Sequence, residues 1–528
     1  MQIKDRLHYN VGMPNPLLLL TALAALPQSL ISQTVPWGQI DGVFPGYAIA
    51  GGSSLTLQVL PYGPPPQASA GMVLRWNGSE RSTSLQGAHM EAEITSSDIA
   101  SPGLAEIALY YPEFGLTVPG TVLFPVAVNV NATNIVYDET RNLFYASLWV
   151  DRFTDSPDQV IAAMDPETGK AVSAVSVGTG SATAMAISGD GHYLYVGFDR
   201  KAAVCRVDLT SFAPDMRFEV GPPGTSVMDL KVLPGRPGSI AVSWTSAVSI
   251  YDNGVKRPVE FTHGFPSVTF GNDASTLYGE EGTMKLDSNG VTGVLNTITC
   301  CVLWTCGGIQ YANGRLYCRS GVIYDADWKQ VGSFGEGGDF AVDPKQNRIL
   351  YFVRSASGLR AFNLTDQLPY GVLPILKGVR FDPYRVAKVI RWGTNGVAFL
   401  VPAAASETAI LLVFHTPFAG PAPAFKIDSV LDSGTAMSGP ISAGQLLTII
   451  GSNLGPATPR QVEYLYPGQP YSTLAGVQVL FNATPAQLLS VQSDRIDLIV
   501  PPLPSDPIVK VQVVNTGIPS AQVEVPVQ

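Results

Sequence analysis

The residues of this 528-residue chain that could do chemistry are few, and the clearest are two neighbouring carboxylates. Glu280 and Glu281 stand in the segment Gly279-Glu-Glu-Gly282, near the end of a predicted strand. A metal site needs several carboxylates or histidines that converge on one point. Because adjacent residues of a strand face opposite sides, only one of the two glutamates can point to a given site. We predict a solvated turn at this segment, and the alternative is that Glu280 or Glu281 is a metal ligand.

The remaining polar residues do not form the pattern of a catalytic site. The segment Gly51-Gly-Ser-Ser-Leu55 lacks the second glycine of a nucleophile elbow. Asp325-Ala-Asp327 lacks the other ligands and the glycine of a calcium loop. No two of the five histidines have the spacing of metal ligands. We therefore predict no catalytic residue and no cofactor, with calcium as the alternative, and we favour a protein that is not an enzyme.

The five cysteines do not include a Cys-x-x-Cys pair, so a structural zinc site is not indicated. Cys306 and Cys318 flank the turn at Ala312-Asn-Gly314 almost symmetrically. This position predicts a cross-strand disulfide if the protein is exported to an oxidising compartment. The alternative is that all five cysteines are reduced or partly oxidised buried thiols.

The composition indicates short strands rather than long helices. The chain has 52 glycines and 42 prolines, with 46% hydrophobic and only 14% charged residues, which favours an all-β protein and disfavours disorder. The net charge of −10 and the lack of Lys/Arg clusters argue against nucleic acid and against binding to an anionic membrane surface. The length predicts two to four domains.

The first 32 residues have features of a secretory signal. Lys4 and Arg6 precede an apolar run from Leu17 to Leu26, which ends at Pro27. This run is too short to span a bilayer but suits the hydrophobic region of a signal peptide. We therefore predict no membrane span and an exported protein that is periplasmic, secreted or on the cell surface. The alternatives are an apolar strand or a misassigned start.

One short β unit recurs seven times between residues 133 and 418. Its clearest copy is Ala184–Gly197, in which two apolar runs flank the turn residues Asp190-Gly191. The second strand of each copy carries an apolar anchor: Leu143–Tyr145, Leu194–Tyr195, Ile240–Val242, Leu277–Tyr278, Leu316–Tyr317, Leu350–Tyr351 and Val397–Phe399. Three or four strands per ~40 residues is typical of a propeller blade. We predict a seven-bladed β-propeller at residues 126–420, with six or eight blades as alternatives, and Pro125–Val130 pairing into the last blade.

The segment Ser188–Gly197 resembles the YVTN family of β-propeller repeats, which occur in bacterial and archaeal surface proteins. Propeller hydrolases that resemble gluconolactonases hold a calcium ion on Glu, Asn and Asp at the mouth of the axial channel. That resemblance implies that Glu280 or Glu281 would serve there if this propeller were such an enzyme.

Residues 33–125 are predicted to form a small β-sandwich. Strands are indicated at Ser54–Leu60, Met72–Gly78 and Ala105–Tyr111, with turn signals between them. The residues Arg75–Gly78, Met90–Ile94 and Ser97–Gly103 occur in an order that resembles the IPT/TIG family. The resemblance implies an immunoglobulin-like domain.

Residues 421–528 follow a short Pro/Ala linker and predict a second immunoglobulin-like sandwich, because short alternating strands are separated by Gly/Pro turns. The motifs Gly451–Pro456 and Gly476–Asn482 resemble an uncharacterised C-terminal domain that recurs on exported proteins of Acidobacteria, notably the Solibacter group. This resemblance implies context and export but no chemistry.

Taken together, these features predict an exported non-catalytic binding or scaffold protein whose propeller face binds a protein or a glycan. Tryptophans at Trp149, Trp244, Trp304, Trp328 and Trp392 would either wedge blades together or stack on sugars. The alternatives are a calcium-dependent propeller hydrolase or lactonase and a structural component of a surface assembly. The sequence leaves the ligand and the oligomeric state open.

Overall fold

A computed structural model describes most of the chain after residue 39. The described residues are 40–61, 71–112, 116–117, 122–148, 158–280, 282–295, 306–353, 358–365, 367, 369–373, 375, 388–402, 409–416, 418–421, 425–456, 459–461, 472–474, 477–515 and 518–528. The regular structure in these ranges is almost entirely β-strand, as the composition predicts. None of their helical residues belongs to a helix with the length and apolar character needed to cross a bilayer.

Two sheets at the beginning of the described chain pack face to face. Their strands are β1 (Ile40–Phe44), β2 (Ala48–Ile49), β3 (Leu55–Pro61), β4 (Val73–Trp76), β5 (Ser79–Arg81), β6 (Thr83–Gln86), β7 (His89–Ile94), β8 (Gly103–Tyr111), β9 (Leu116–Thr117) and β10 (Val122–Asn129). One sheet has the order β1-β3-β7-β6, and the other includes β5-β4-β8-β10. Leu57 and Met90 from the first sheet share one core with Trp76 and Phe124 from the second, so this region is a β-sandwich.

A series of four-stranded antiparallel sheets follows. Their strands are β11 (Ala132–Asp138), β12 (Leu143–Leu148), β13 (Asp158–Met164), β14 (Ala171–Thr179), β15 (Ala182–Ile187), β16 (Tyr193–Phe198), β17 (Ala203–Asp208), β18 (Ala213–Glu219), β19 (Val227–Leu233), β20 (Arg236–Trp244), β21 (Ala247–Asp252), β22 (Val255–Lys256), β23 (Val268–Phe270), β24 (Thr276–Gly279), β25 (Gly282–Asp287), β26 (Gly290–Leu295), β27 (Ile309–Ala312), β28 (Arg315–Cys318), β29 (Val322–Asp325), β30 (Gln330–Ser333), β31 (Asp339–Asp343), β32 (Arg348–Val353), β33 (Gly358–Asn363) and β34 (Pro369–Leu373). Each sheet takes four consecutive strands in chain order. The final strands of this region are β35 (Lys388–Trp392), β36 (Gly396–Pro402) and β37 (Ala409–His415).

These sheets are arranged radially around an axis. The first strands pack against one another in the order β11, β15, β19, β23, β27, β31 and β35, and β35 packs against β11. Each core cluster in this region combines side chains of two neighbouring sheets, as where Tyr195 meets Trp244 or where Phe144 meets Trp392. Strands inside a sheet are therefore buried on both faces, and β32 is buried at every position. This arrangement is that of a β-propeller.

The sequence explains where each sheet turns. All the predicted apolar anchors lie in the second strands of the sheets, and the hairpin at Asp190-Gly191 is present between β15 and β16. Gly191 has a φ of 71°, which L-residues with a side chain rarely adopt. The N–H of Gly191 donates to the carbonyl of Ser188 at 2.8 Å, and this bond closes the turn.

Strand β10 belongs to both the sandwich and the propeller. Its first half pairs with β8, where Val126 lies opposite Gly103. Its second half pairs with β37, where Val128 lies opposite Leu411. The pairing predicted for Pro125–Val130 is therefore present, and the last sheet has the order β35-β36-β37-β10. The sequence-based boundary between residues 125 and 126 falls inside this shared strand.

The C-terminal region is a second sandwich. Its strands are β38 (Lys426–Asp432), β39 (Leu446–Ser452), β40 (Arg460–Gln461), β41 (Val477–Phe481), β42 (Thr484–Pro485), β43 (Gln487–Val491), β44 (Arg495–Ile499), β45 (Ile508–Asn515), β46 (Ile518–Pro519) and β47 (Val523–Pro526). One sheet has the order β38-β39-β44-β43-β40, and the other contains β42-β41-β45-β46. Ile449 and Leu488 from the first sheet pack against Phe481 and Val511 from the second.

Candidate functional site: the axial channel

A cavity of about 580 Å³ lies on the propeller axis, at the end where the first strand of each sheet begins. We call it the channel mouth. Every first strand of the ring, or the residue next to it, contributes to its wall: Asn134, Thr183, Asp229, Ser267, Gln310, Asp339 and Lys388. The volume is within the range of about 300–1,000 Å³ that is typical of ligand pockets. The wall is mainly polar, although the surfaces between the sheets are apolar.

The polar side chains of the wall hydrogen-bond to the backbone of the neighbouring sheet. Nδ2 of Asn134 donates to the carbonyl of Thr183 at 2.9 Å, and the hydroxyl of Thr183 donates to the carbonyl of Val227 at 2.6 Å. The N–H of Val268 in turn donates to Oδ2 of Asp229 at 2.9 Å. These bonds satisfy backbone groups that face the axis and would otherwise lack a partner.

The same pattern continues around the other half of the ring. The N–H of Ile309 donates to the Ser267 hydroxyl at 3.2 Å, and Nε2 of Gln310 donates to the carbonyl of Phe340 at 3.1 Å. Nζ of Lys388, in the last sheet, donates to Oδ1 of Asn134, in the first sheet, at 2.6 Å. The wall is therefore held in place by bonds between neighbouring sheets, which makes it a rigid surface.

Charged side chains of both signs lie on this wall. Nζ of Lys231 is 2.9 Å from Oδ1 of Asp229, in the third sheet of the ring. On the opposite side, Nη2 of Arg319 is 2.9 Å from Oδ1 of Asp339. Glu280 also lines the cavity and is 6% exposed. The channel mouth can therefore recognise polar and charged groups of a ligand.

Lys388 is the most perturbed basic group of the channel mouth. Burial lowers the pKa of Lys388 to about 8 because the charged ammonium loses hydration. The positive charge of Lys231 lowers this pKa further, and the negative charge of Asp229 opposes the shift. Near neutral pH the ammonium form still predominates, but it is less stable than that of a lysine in water.

Of the two possible metal ligands, Glu280 and Glu281, only Glu280 is among the described residues. Glu280 lies between β24 and β25, on the wall of the channel mouth. Glu281 lies outside the described residues. Within the described part of the chain, no three His, Cys, Asp or Glu residues are grouped so that they could hold a metal ion. The metal role of either glutamate therefore stays a prediction.

Cys306 and Cys318 form a disulfide, with their Cα atoms 4.7 Å apart. The bond attaches the segment before β27 to the end of β28. Gly307 and Gly308, directly after Cys306, line the channel mouth and have φ values of 59° and 138°. The disulfide thus fixes part of the channel wall. Cys205 is a buried free thiol, while Cys300 and Cys301 lie outside the described residues.

No histidine or tryptophan is among the described residues that line the channel mouth. His192 lies in a turn, with Nδ1 3.0 Å from Oδ2 of Asp190, and Nε2 of His415 is 3.0 Å from Oε2 of Glu167. Trp244, Trp328 and Trp392 are buried between sheets, with exposed fractions of 7%, 8% and 3%. Trp149 and Trp304 lie outside the described residues. Trp244, Trp328 and Trp392 are therefore packing residues and not a sugar-stacking surface.

Sequence patterns did not identify the charged residues of the wall. Asp229 and Lys231 lie in the otherwise apolar segment Met228–Leu233, and Lys388 begins the apolar strand β35. The first strand of each propeller sheet lies next to the axis. Charged residues within these short strands could therefore have indicated the channel wall. Their convergence depends on closure of the ring and cannot be read from any one repeat.

A family model for the IPT/TIG domain matches residues 429–527, which lie in the C-terminal sandwich. This match does not fall on residues 33–125, where sequence motifs predicted such a domain. The N-terminal assignment and the resemblances to the YVTN and Solibacter-type families stay predictions. No curated protein matches the chain in sequence.

Similar solved structures include the β-propeller domain of Cps50 (Swd1) from Myceliophteria thermophila, at 10% identity and a TM-score of 0.39, covering 54% of this chain and 98% of that chain. Hydrazine synthase from Kuenenia stuttgartiensis is 14% identical with a TM-score of 0.37, covering 55% and 96%. A functionally unknown protein from Desulfotomaculum acetoxidans is 12% identical with a TM-score of 0.38, covering 52% and 93%.

Proposed function

We propose that this chain is an exported, non-catalytic binding protein that recognises a partner protein at the channel mouth. In this proposal, residues 33–125 form an immunoglobulin-like domain, residues 126–420 a seven-bladed propeller, and residues 421–528 a second immunoglobulin-like domain. The proposal rests on one observation above all. Side chains from every sheet of the ring converge on a single polar cavity and are held there by bonds between sheets.

The blade count is supported by the pairing of the strands. Among the described residues, six four-stranded sheets run from β11 to β34, and β35–β37 add a further sheet that is completed by β10. Closure by a strand from outside the repeat series fastens the two ends of the ring. A fastened ring presents a fixed wall, which limits the entropy lost when a ligand is bound.

A protein partner is better supported than a glycan. Sugar recognition commonly uses exposed aromatic rings as stacking surfaces. The described tryptophans are buried between sheets, and Phe340, itself only 8% exposed, is the one aromatic residue among the described residues that line the channel mouth. The hydroxyl, amide and charged groups of the wall suit the side chains and backbone of a peptide segment.

Export is supported by the Cys306–Cys318 disulfide, because such bonds persist in oxidising compartments and are rare in the cytosol. The apolar run Leu17–Leu26 agrees with this proposal. The calcium-dependent hydrolase remains a second candidate, and the position of Glu280 on the channel wall is the observation in its favour. A structural role in a surface assembly is the third candidate and would require self-association.

The test is capture of a partner by the full chain. The wild-type protein is immobilised and incubated with solubilised envelope proteins of the cell that makes it. Two channel variants, Arg319→Gln and Lys231→Gln, are compared with Lys345→Gln, in which an exposed lysine at the opposite end of the ring is changed. Melting curves establish that each variant is folded.

We expect one protein to be retained by the wild type and by Lys345→Gln and lost from both channel variants. Equal capture by all four proteins would place the interaction elsewhere and overturn the proposal. If the immobilised protein retains only further copies of this chain, and if the protein also self-associates in sedimentation experiments, the structural role would be favoured instead.

A further inference from the structure

Lys388 has an ammonium group that no carboxylate neutralises within the described part of the chain. Its Nζ makes one hydrogen bond there, to the amide oxygen of Asn134, which is neutral. Lys388 is the first residue of β35, and it lines the channel mouth. A buried or partly buried ammonium normally has a carboxylate partner, because the loss of hydration is costly without one.

Asp229 is the carboxylate whose charge acts on Lys388, but its oxygens already accept three hydrogen bonds from other groups. Oδ1 accepts from the N–H of Leu230 and from Nζ of Lys231, both at 2.9 Å. Oδ2 accepts from the N–H of Val268 at 2.9 Å. Lys388 therefore interacts electrostatically with one ammonium, that of Lys231, and one carboxylate, that of Asp229, so these three groups together carry a net positive charge.

Strand β31, which packs directly against β35, contributes one carboxylate to the described wall, and that carboxylate is already in an ion pair. Asp339 is ion-paired with Arg319 at 2.9 Å. The charges that affect Lys388 are those of Lys231 and Asp229. An acidic ligand group that enters the cavity would therefore meet an ammonium that has no carboxylate partner among the described residues.

We propose that Lys388, assisted by Lys231, is the specificity-determining site for a carboxylate group of the partner protein, presented by an acidic side chain or by a C-terminus. This inference rests on the proposed function, because it assigns the ligand chemistry of the same channel. The carboxylate would form an ion pair with Nζ of Lys388, while Asn134 and Thr183 orient the surrounding peptide groups through their own polar atoms.

The electrostatics of the free protein agree with this assignment. The pKa of Lys388 is lowered by burial and by the neighbouring charge of Lys231. A bound carboxylate opposes both effects by stabilising the ammonium, so ligand binding raises this pKa. The neutral amine, which has a free lone pair, is the form that attacks an acylating reagent, so the acylation rate falls when a bound carboxylate favours the ammonium.

The experiment measures the acylation rate of Lys388 in the wild-type full chain by mass spectrometry. The probes are the blocked tripeptide acetyl-Gly-Glu-Gly-amide, its neutral counterpart acetyl-Gly-Gln-Gly-amide, and acetyl-Gly-Gly-Gly with a free C-terminus. Sodium chloride at equal ionic strength controls for general anion effects. Lys170, an exposed lysine in a turn of the first sheet, is the internal reference.

We expect the glutamate peptide, the free-acid peptide or both to slow acylation of Lys388 about tenfold for each unit by which the pKa rises. Protection by the glutamate peptide alone identifies an acidic side chain, and protection by the free acid alone identifies a C-terminus. The rate at Lys170 should not change. Equal rates at Lys388 with all peptides and with chloride would overturn the inference.

Lys388→Met distinguishes this site from a merely structural lysine. The variant removes a poorly hydrated charge, so we expect a melting temperature at neutral pH that is equal to or above that of the wild type, together with loss of the captured partner. A lowered melting temperature with capture intact would show that Lys388 only holds Asn134. In that case the inference fails while the proposed function stands. If the peptides protect Lys388 but no partner is captured, the proposed function fails instead.

Discussion

Val128 lies opposite Leu411 in the last sheet of the ring, and Val126, two residues earlier in the same strand, lies opposite Gly103 in the N-terminal sandwich. One strand thus supplies hydrogen bonds to two domains. A mutation that destabilises the strand pairing of one half of β10 should also destabilise the pairing of the other half, because the two halves form one continuous strand.

Core truncations test this coupling. Phe124→Ala in the sandwich half of β10 and Leu411→Ala in its propeller partner remove buried side chains, 1% and 0% exposed. Each should cost about 2–5 kcal/mol and shift the same calorimetric transition. Phe481→Ala, in the C-terminal core, is the matched control and should shift a different transition. Separate transitions for Phe124→Ala and Leu411→Ala would show that the shared strand does not couple the domains.

The disulfide gives a second prediction. Cys306 and Cys318 close a loop with a sequence separation of 12 residues. Removing the bond by Cys306→Ala with Cys318→Ala should lower the stability of the propeller by about 2–4 kcal/mol, since the unfolded chain gains freedom. A reductant should lower the melting temperature of the wild type and leave the double variant unchanged. Equal sensitivity of both proteins to reductant would exclude this bond as the cause.

Acid should weaken the contact between Arg257 and Asp252. Nε and Nη2 of Arg257 are 2.7 and 2.9 Å from the two oxygens of Asp252, and Nη1 donates to the carbonyl of Asp287 in the next sheet at 2.6 Å. The Arg257 guanidinium, with help from Ser239, holds the pKa of Asp252 below its usual value. A lowered pKa in the folded protein means that the stabilisation is complete above the unfolded pKa of about 3.9 and is lost as the pH falls through the folded value.

Asp252→Asn measures the size of that contribution. At pH 7 the variant should be less stable by about 1 kcal/mol, a modest effect because the carboxylate is partly exposed. The difference in melting temperature between wild type and variant should shrink as the pH drops below about 4. Glu219→Gln, at an exposed site of the same ring, should show no such convergence. A difference that stays constant between pH 7 and pH 3 would contradict the expected linkage.

Metal analysis separates the binding protein from the hydrolase. We expect protein purified without chelator to contain less than one calcium ion per chain, and its melting temperature to be unaffected by a chelator. One calcium per chain that disappears in Glu280→Gln and persists in Glu219→Gln would favour the calcium-dependent enzyme. The two variants make the same chemical change, so only the location on the channel wall differs.

Much of the architecture could be predicted because its signals are local. A turn such as Asp190-Gly191 and the apolar anchor that follows it occupy a few adjacent residues, and their repetition indicates stacked sheets. The pairing of Pro125–Val130 with the last sheet also followed from sequence, since this apolar strand precedes the first repeat. The IPT/TIG family model, by contrast, matches the C-terminal sandwich, where the sequence motifs had indicated another family.

The candidate site could be predicted only in part. Glu280 was identified because two carboxylates stand together near a strand end, but the backbone direction that places it on the channel wall is set by the whole sheet. Asn134 and Lys388 come from opposite ends of the repeat series and meet only when the ring closes. No pattern within one repeat indicates that such residues share a cavity.

The divided pairing of β10 also sets an order of events as the chain emerges N-terminus first, from a ribosome or a secretion pore. The half that contains Val126 can pair as soon as β10 emerges, because its partner β8 precedes it in the chain. The half that contains Val128 stays unpaired until β37 has been made. At about 5–20 residues per second, the wait is on the order of tens of seconds. An open strand edge invites pairing with another molecule, so a nascent chain of this protein has most need of a chaperone while the middle sheets are still being made.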